Sequence, residues 1–131
     1  MFGGAYLAVP NVGVLGSSGA RAVPLAATLM TLGLRGISER LDACMALAEM
    51  FSNLLEADKR FELWNLPETG VIAWRPRDMD PAELRCALAA RDIHVSQTVL
   101  GGEPWLRSVA VHPGIDVQRV YDAACAKLKG E

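Results

Sequence analysis

The narrowest constraint on this chain is a glycine pair set between two strand-like runs. Ile93, Val95 and Val99 share one parity within Ile93-His94-Val95-Ser96-Gln97-Thr98-Val99. After Gly101-Gly102-Glu103-Pro104, the stretch from Trp105 to Val111 alternates again and is ended by Pro113-Gly114. A period of two over such lengths marks a strand with one buried face. So short a connection joins only antiparallel neighbours, and the segment predicts a hairpin.

A second pair of strands precedes it. Arg60-Phe61-Glu62-Leu63-Trp64 alternates, Pro67-Glu68-Thr69-Gly70 turns the chain, and Val71-Ile72-Ala73-Trp74-Arg75 runs to Pro76. Between the pairs, Asp80-Pro81-Ala82-Glu83 is a helix start: Asp as cap, Pro in the first turn, Glu three residues beyond the cap. That helix extends to Arg91, with Leu84, Ala87 and Leu88 inward. Asp116 caps a closing helix whose Val117, Val120, Tyr121, Ala124 and Leu128 face in.

Upstream, Gly16-Ser17-Ser18-Gly19 opens an apolar helix that starts between Ser18 and Ala20. Leu25, Leu29 and Leu32 give it one face, and Val23, Ala26, Ala27 and Met30 widen it, which predicts burial nearly all round. Gly33 and Gly36 are its expected stop. A second helix follows from about Ile37 to Ala57, with Ile37, Leu41, Cys44, Met45, Ala48, Phe51 and Leu55 as its stripe. Short extended segments are expected at Tyr6–Val9 and Val12–Leu15.

The order predicts an α+β fold. Two N-terminal helices lead into a four-stranded, mostly antiparallel sheet with helices packed on one face. Three parts are expected: residues 1–36, the linker helix 37–58, and a small αβ domain 59–131. At 131 residues the chain can bury a modest core. Thirteen basic against fifteen acidic residues, without runs, argue against a nucleic-acid or membrane surface. Cys44, Cys86 and Cys125 lack metal or redox spacing and read as buried thiols in a reducing cytoplasm.

Chemistry has few places to sit. The serine-glycine turn at a helix start suits an anion, and equally suits any tight turn before a helix. It has neither the lysine of a phosphate-binding loop nor a Gly-x-Gly-x-x-Gly pattern. Arg107 shares its parity with Trp105, Val109 and Val111. A guanidinium there calls for a carboxylate, of the protein or of a ligand. Arg75, beside Pro76, reads as an exposed arginine. His94 and His112 read as surface or strand-end histidines.

Taken together, several stretches resemble the C-terminal part of the group II pyridoxal-phosphate-dependent amino-acid decarboxylases, of the aspartate-aminotransferase fold. They are Tyr6-Leu7, Gly16-Ser17-Ser18, Thr31-Leu32-Gly33-Leu34-Arg35-Gly36, Trp74-Arg75, and Leu106-Arg107 through His112-Pro113. The resemblance implies that Ser17, with Ser18 beside it, contacts the cofactor phosphate across a dimer, and that Arg107 holds the substrate carboxylate. Two positions depart from the family pattern: Ser18 stands for an arginine and His112 for an asparagine. The family's aldimine lysine lies upstream of the Tyr-Leu segment, and Lys59, Lys127 and Lys129 are wrongly placed for that role.

The chain is therefore expected to be a fragment, inactive alone and binding no pyridoxal phosphate by itself. It would be completed by a large domain or by a second copy in a homodimer. The competing expectation is a non-catalytic αβ module that self-associates or binds an amino acid through Arg107.

Overall fold

The computed structural model describes residues 22–130. The extended segments expected at Tyr6–Val9 and Val12–Leu15, and the Ser17-Ser18 turn, lie outside the described residues. Contacts divide the chain into two units, Met1–Ile37 and Ser38–Glu131.

The first helix, α1, is assigned over Ala22–Ala57, with Gly33 outside the helical range at φ 64°, ψ 177°. The two expected helices are thus one helical run broken at a single residue. Gly36, expected to share in the stop, is helical: a Cβ there would lie 3.2 Å from Leu32 Cβ, so its bare backbone makes room for Leu32. The burial expected of the first stretch is not found within the chain alone. Val23, Leu25, Leu29 and Met30 are 60%, 64%, 42% and 86% exposed. An apolar helix signals a need for cover, and the described residues do not supply that cover.

In the second unit the C-terminal half of α1 places Ala48, Phe51, Ser52 and Leu55 in the interior, while Leu41 of the expected stripe stays exposed. The strands are β1 (Phe61–Leu63), β2 (Val71–Pro76), β3 (Ser96–Leu100) and β4 (Glu103–Val109). They form one antiparallel sheet in the order β1-β2-β4-β3. Helix α2 (Pro81–Ala89) connects β2 to β3, and α3 (Val117–Lys129) closes the chain. Both caps follow the sequence: Asp80 accepts from the Ala82 N–H and Asp116 from the Arg119 N–H.

The core lies between the helices and one sheet face. Ile72, Trp74 and Leu106 from the strands meet Phe51, Leu55, Leu84, Leu88, Val117 and Ala124 from the helices. Trp74 is its centre: Phe51 and Phe61 pack against it edge-on at 5.5 and 5.7 Å, and its Nε1 donates to Ser108 Oγ at 3.0 Å.

The β3–β4 turn is tighter than expected. Leu100 pairs with Glu103, so only Gly101 and Gly102 form the loop, at φ 60° and 83°. A two-residue hairpin turn with both angles positive favours glycine, which draws Glu103 and Pro104 into the strand. Ile93–Val95 falls outside β3, although Ile93 is buried. Gly70 is constrained differently: a Cβ there would lie 2.7 Å from the Ala110 carbonyl oxygen. The Ala110 N–H donates to the Gly70 carbonyl at 2.7 Å. Gly70→Ala is expected to cost about 2 kcal/mol in urea denaturation, because backbone must move to admit one methyl.

The thiols are not uniformly buried. Cys125 is, Cys44 is half-buried and Cys86 is exposed on α2. No helix among the described residues is long and apolar enough to cross a membrane.

Candidate functional site

Side chains alternate across a strand, so the residues between Ile72, Trp74 and Leu106 emerge on the sheet face away from the helices. On β2 these are Val71, Ala73 and Arg75; on β4 they are Trp105, Arg107 and Val109. Trp105 is only 3% exposed, yet it is not part of the helix-side core. It is buried from outside. The Arg75 guanidinium lies 4.3 Å from its ring centroid, and Trp64 meets it edge-on at 5.3 Å. Trp64 also reaches the hairpin turn, where a Cβ on Gly101 would lie 3.2 Å from its Cη2.

Arg75 is therefore not the exposed arginine the sequence suggests. Its Nε donates to Glu62 Oε2 at 3.0 Å, and Glu103 stands 3.9 Å away. The register explains the first contact, since Glu62 lies directly opposite Arg75 on β1. Its charge is thus balanced within the sheet, and stacking on an indole adds to its fixation.

Arg107 is different. It is exposed on β4, and its Nε donates to Ser96 Oγ at 3.0 Å. That hydroxyl donates to the Arg107 carbonyl at 3.1 Å. No carboxylate among the described residues pairs with Arg107. Of the two partners the sequence leaves open, a carboxylate of the protein is absent from the described residues. The sheet thus presents the outer nitrogens of one guanidinium, suited to an incoming carboxylate.

A second polar cluster lies between the end of α1, β1 and α3. The Asp58 carboxylate accepts from Arg60 through its backbone N–H, Nε and Nη2, the last at 2.6 Å, and from the Tyr121 hydroxyl at 3.0 Å. The Arg60 side chain holds Asp58 well below the usual carboxylate range, against the opposing effect of burial. Tyr121 is pushed up to about 12 by the neighbouring Cys125 sulfur, by burial and by Asp58. Cys125 Sγ lies 3.1 Å from Arg60 Nη2. The cluster ties three elements together. Sequence reading missed it because Tyr121 is 63 residues from Asp58.

The histidines behave as expected. His94 lies 3.3 Å from Asp92 with both exposed, and His112 Nδ1 accepts from the Gly114 N–H. No group of metal-ligating side chains occurs among the described residues. Of the three lysines, Lys59 is in the turn after α1, Lys127 pairs with Glu83 at 2.9 Å, and Lys129 ends α3. The expected phosphate contacts, Ser17 and Ser18, fall outside the described residues.

No protein-family model matches the chain, and no curated protein matches it. Solved structures do. Catharanthus roseus tryptophan decarboxylase in complex with L-tryptophan superposes with a TM-score of 0.74 at 22% identity, over 85% of this chain and 26% of that one. Oryza sativa TDC with PLP and tryptamine gives 0.72 at 22% identity, over 81% and 26%. The glutamate decarboxylase domain of a Vibrio parahaemolyticus diaminobutyrate-pyruvate transaminase and L-2,4-diaminobutyrate decarboxylase gives 0.67 at 17% identity, over 83% and 25%. The chain spans about a quarter of the length of these structures. The resemblance read from the sequence holds at the level of fold: this chain is built as a part of a group II pyridoxal-phosphate-dependent decarboxylase is built.

Proposed function

We propose that this chain is the C-terminal part of a pyridoxal-phosphate-dependent amino-acid decarboxylase, a carbon–carbon lyase. In the complete enzyme it helps to close the site, and Arg107 holds the substrate carboxylate. The observation that carries this reading is Arg107 itself, an exposed guanidinium whose Nε–H partner is the Ser96 hydroxyl, on a fold shared with such enzymes. Pyridoxal phosphate supplies the electron sink in this chemistry. This chain's contribution is orientation, through two parallel N–H donors on a planar fork.

The exposed apolar residues of α1 support the partner part of the proposal. A large domain, or a second copy forming a homodimer, would cover Val23, Leu25, Leu29 and Met30. Ser17 and Ser18 would then reach the cofactor phosphate across the dimer. The three free cysteines suit a reducing cytoplasm. The same exposed helix favours the second reading, a self-associating αβ module that binds an amino acid without catalysing its reaction.

The reading frame upstream of Met1 separates the two. An in-frame segment carrying a histidine-lysine pair before a glycine-rich stretch supports the enzyme, and a stop codon there favours the module. In a protein with that segment, Arg107→Met is expected to lower kcat/KM for decarboxylation about 100-fold, by loss of a charged hydrogen-bonded pair. An unchanged kcat/KM removes Arg107 from the site.

A further inference from the structure

We propose that Ser96 is a positioning residue that sets the guanidinium of Arg107 for a ligand carboxylate, a role that rests on the assignment of Arg107 made above. The register places Ser96 directly opposite Arg107 across the β3–β4 pair. A serine hydroxyl has one hydrogen to give and two lone pairs to receive with. Here the hydrogen goes to the Arg107 carbonyl, at 3.1 Å. The oxygen is thereby turned so that a lone pair meets the Arg107 Nε–H, at 3.0 Å. One hydroxyl so reads both ends of the same arginine, and its polarity is fixed by the backbone.

This has a chemical consequence. With Nε–H engaged, the guanidinium plane is held and its side edge is blocked. The terminal Nη groups keep their hydrogens for an end-on, bidentate pair with a carboxylate. A neutral hydroxyl does this without adding charge. A carboxylate at position 96 would hold the arginine as firmly but would compete with the ligand, as Glu62 engages Arg75 on the same sheet face. A long, flexible side chain is thereby ordered before its ligand arrives, which spares part of the cost of binding. The hairpin turn supports the arrangement: two residues between Leu100 and Glu103 fix the register that puts Ser96 opposite Arg107.

The test uses the whole chain, labelled with nitrogen-15, with the Arg107 Nε–H resonance assigned by its disappearance in Arg107→Met. Ser96→Ala is expected to speed solvent exchange of that proton about tenfold, the fold-change of one lost hydrogen bond. Ser96→Thr keeps the hydroxyl and should restore slow exchange. Unchanged melting temperatures would show that the effect is local, since Ser96 is exposed. Equal exchange rates in the wild-type and Ser96→Ala chains overturn the proposal.

The same samples are then titrated with sodium acetate. A wild-type response that is lost in Arg107→Met and weakened several-fold in Ser96→Ala supports both assignments. A response lost in Arg107→Met but intact in Ser96→Ala overturns the role of Ser96 and leaves that of Arg107 standing. No response in the wild-type chain counts against Arg107 as a carboxylate site, and the positioning role falls with it.

Discussion

Trp74→Ala is expected to lower the free energy of unfolding by about 4 kcal/mol, read from urea denaturation followed by far-ultraviolet circular dichroism. The indole is fully buried, and two aromatic rings pack edge-on against it. Alanine would remove those contacts and leave a void that the sheet on one side and α1 on the other cannot both close. The loss approaches the whole stability of many small domains, so the variant is expected to be partly unfolded at room temperature. Trp74→Phe separates packing from hydrogen bonding. It keeps most of the volume but strips Ser108 Oγ of its donor, and it should cost about 2 kcal/mol. An alanine variant as stable as the wild type would mean that the core is not centred where the structure places it.

Asp58→Ala is the second large effect, about 2 kcal/mol after allowing for solvent screening of the part-exposed Arg60, because it leaves Arg60 and the Tyr121 hydroxyl without their shared acceptor. The same residue sets the acid limit of the fold. Its carboxyl titrates lower in the folded chain than in the unfolded one, held down first by the Arg60 side chain. Between those two values the unfolded state binds more protons, so stability falls as pH falls. The contribution is complete above about pH 4, the ordinary carboxylate value, and is lost progressively below it. Tyr121 acts with the opposite sign. Its phenol is raised to about 12, so its contribution is complete below about pH 10 and lost as pH rises through the folded value. Asp58→Asn should flatten the acid limb of a stability-against-pH curve, and Tyr121→Phe the alkaline limb.

Local chemistry was legible in the sequence where one residue suffices to cause the structure. Asp80 and Asp116 cap their helices because a short side-chain acceptor next to free backbone N–H groups needs no distant partner. The glycines Gly101 and Gly102 marked their turn for the same reason, although it is two residues long rather than the expected four. Gly33 and Gly36 show the limit: both look like stops, and only the backbone angles reveal that one breaks the helix while the other makes room for a leucine.

The site was half legible. Strand parity put Arg107 on the same face as Trp105, but parity does not give register, so Ser96 was not visible as its partner. Arg75 was misread because its cover comes from Glu62 on a neighbouring strand and from an indole on another. The helix around Leu25 and Met30 was read as buried because its composition demands cover, and composition does not say which molecule provides it.

The strand order carries a kinetic consequence. β1 with β2, and β3 with β4, are local hairpins, whereas β2 meets β4 only after α2 and β3 have been placed between them in the chain. That seam bears the loop-closure cost of the sheet and is the slow step to expect in refolding. Arg75 belongs to one hairpin and Trp105 to the other, so their stack can form only when the seam closes. A chain halted before that step would hold the arginine–serine pair within its second hairpin, but not the roofed indole beside it.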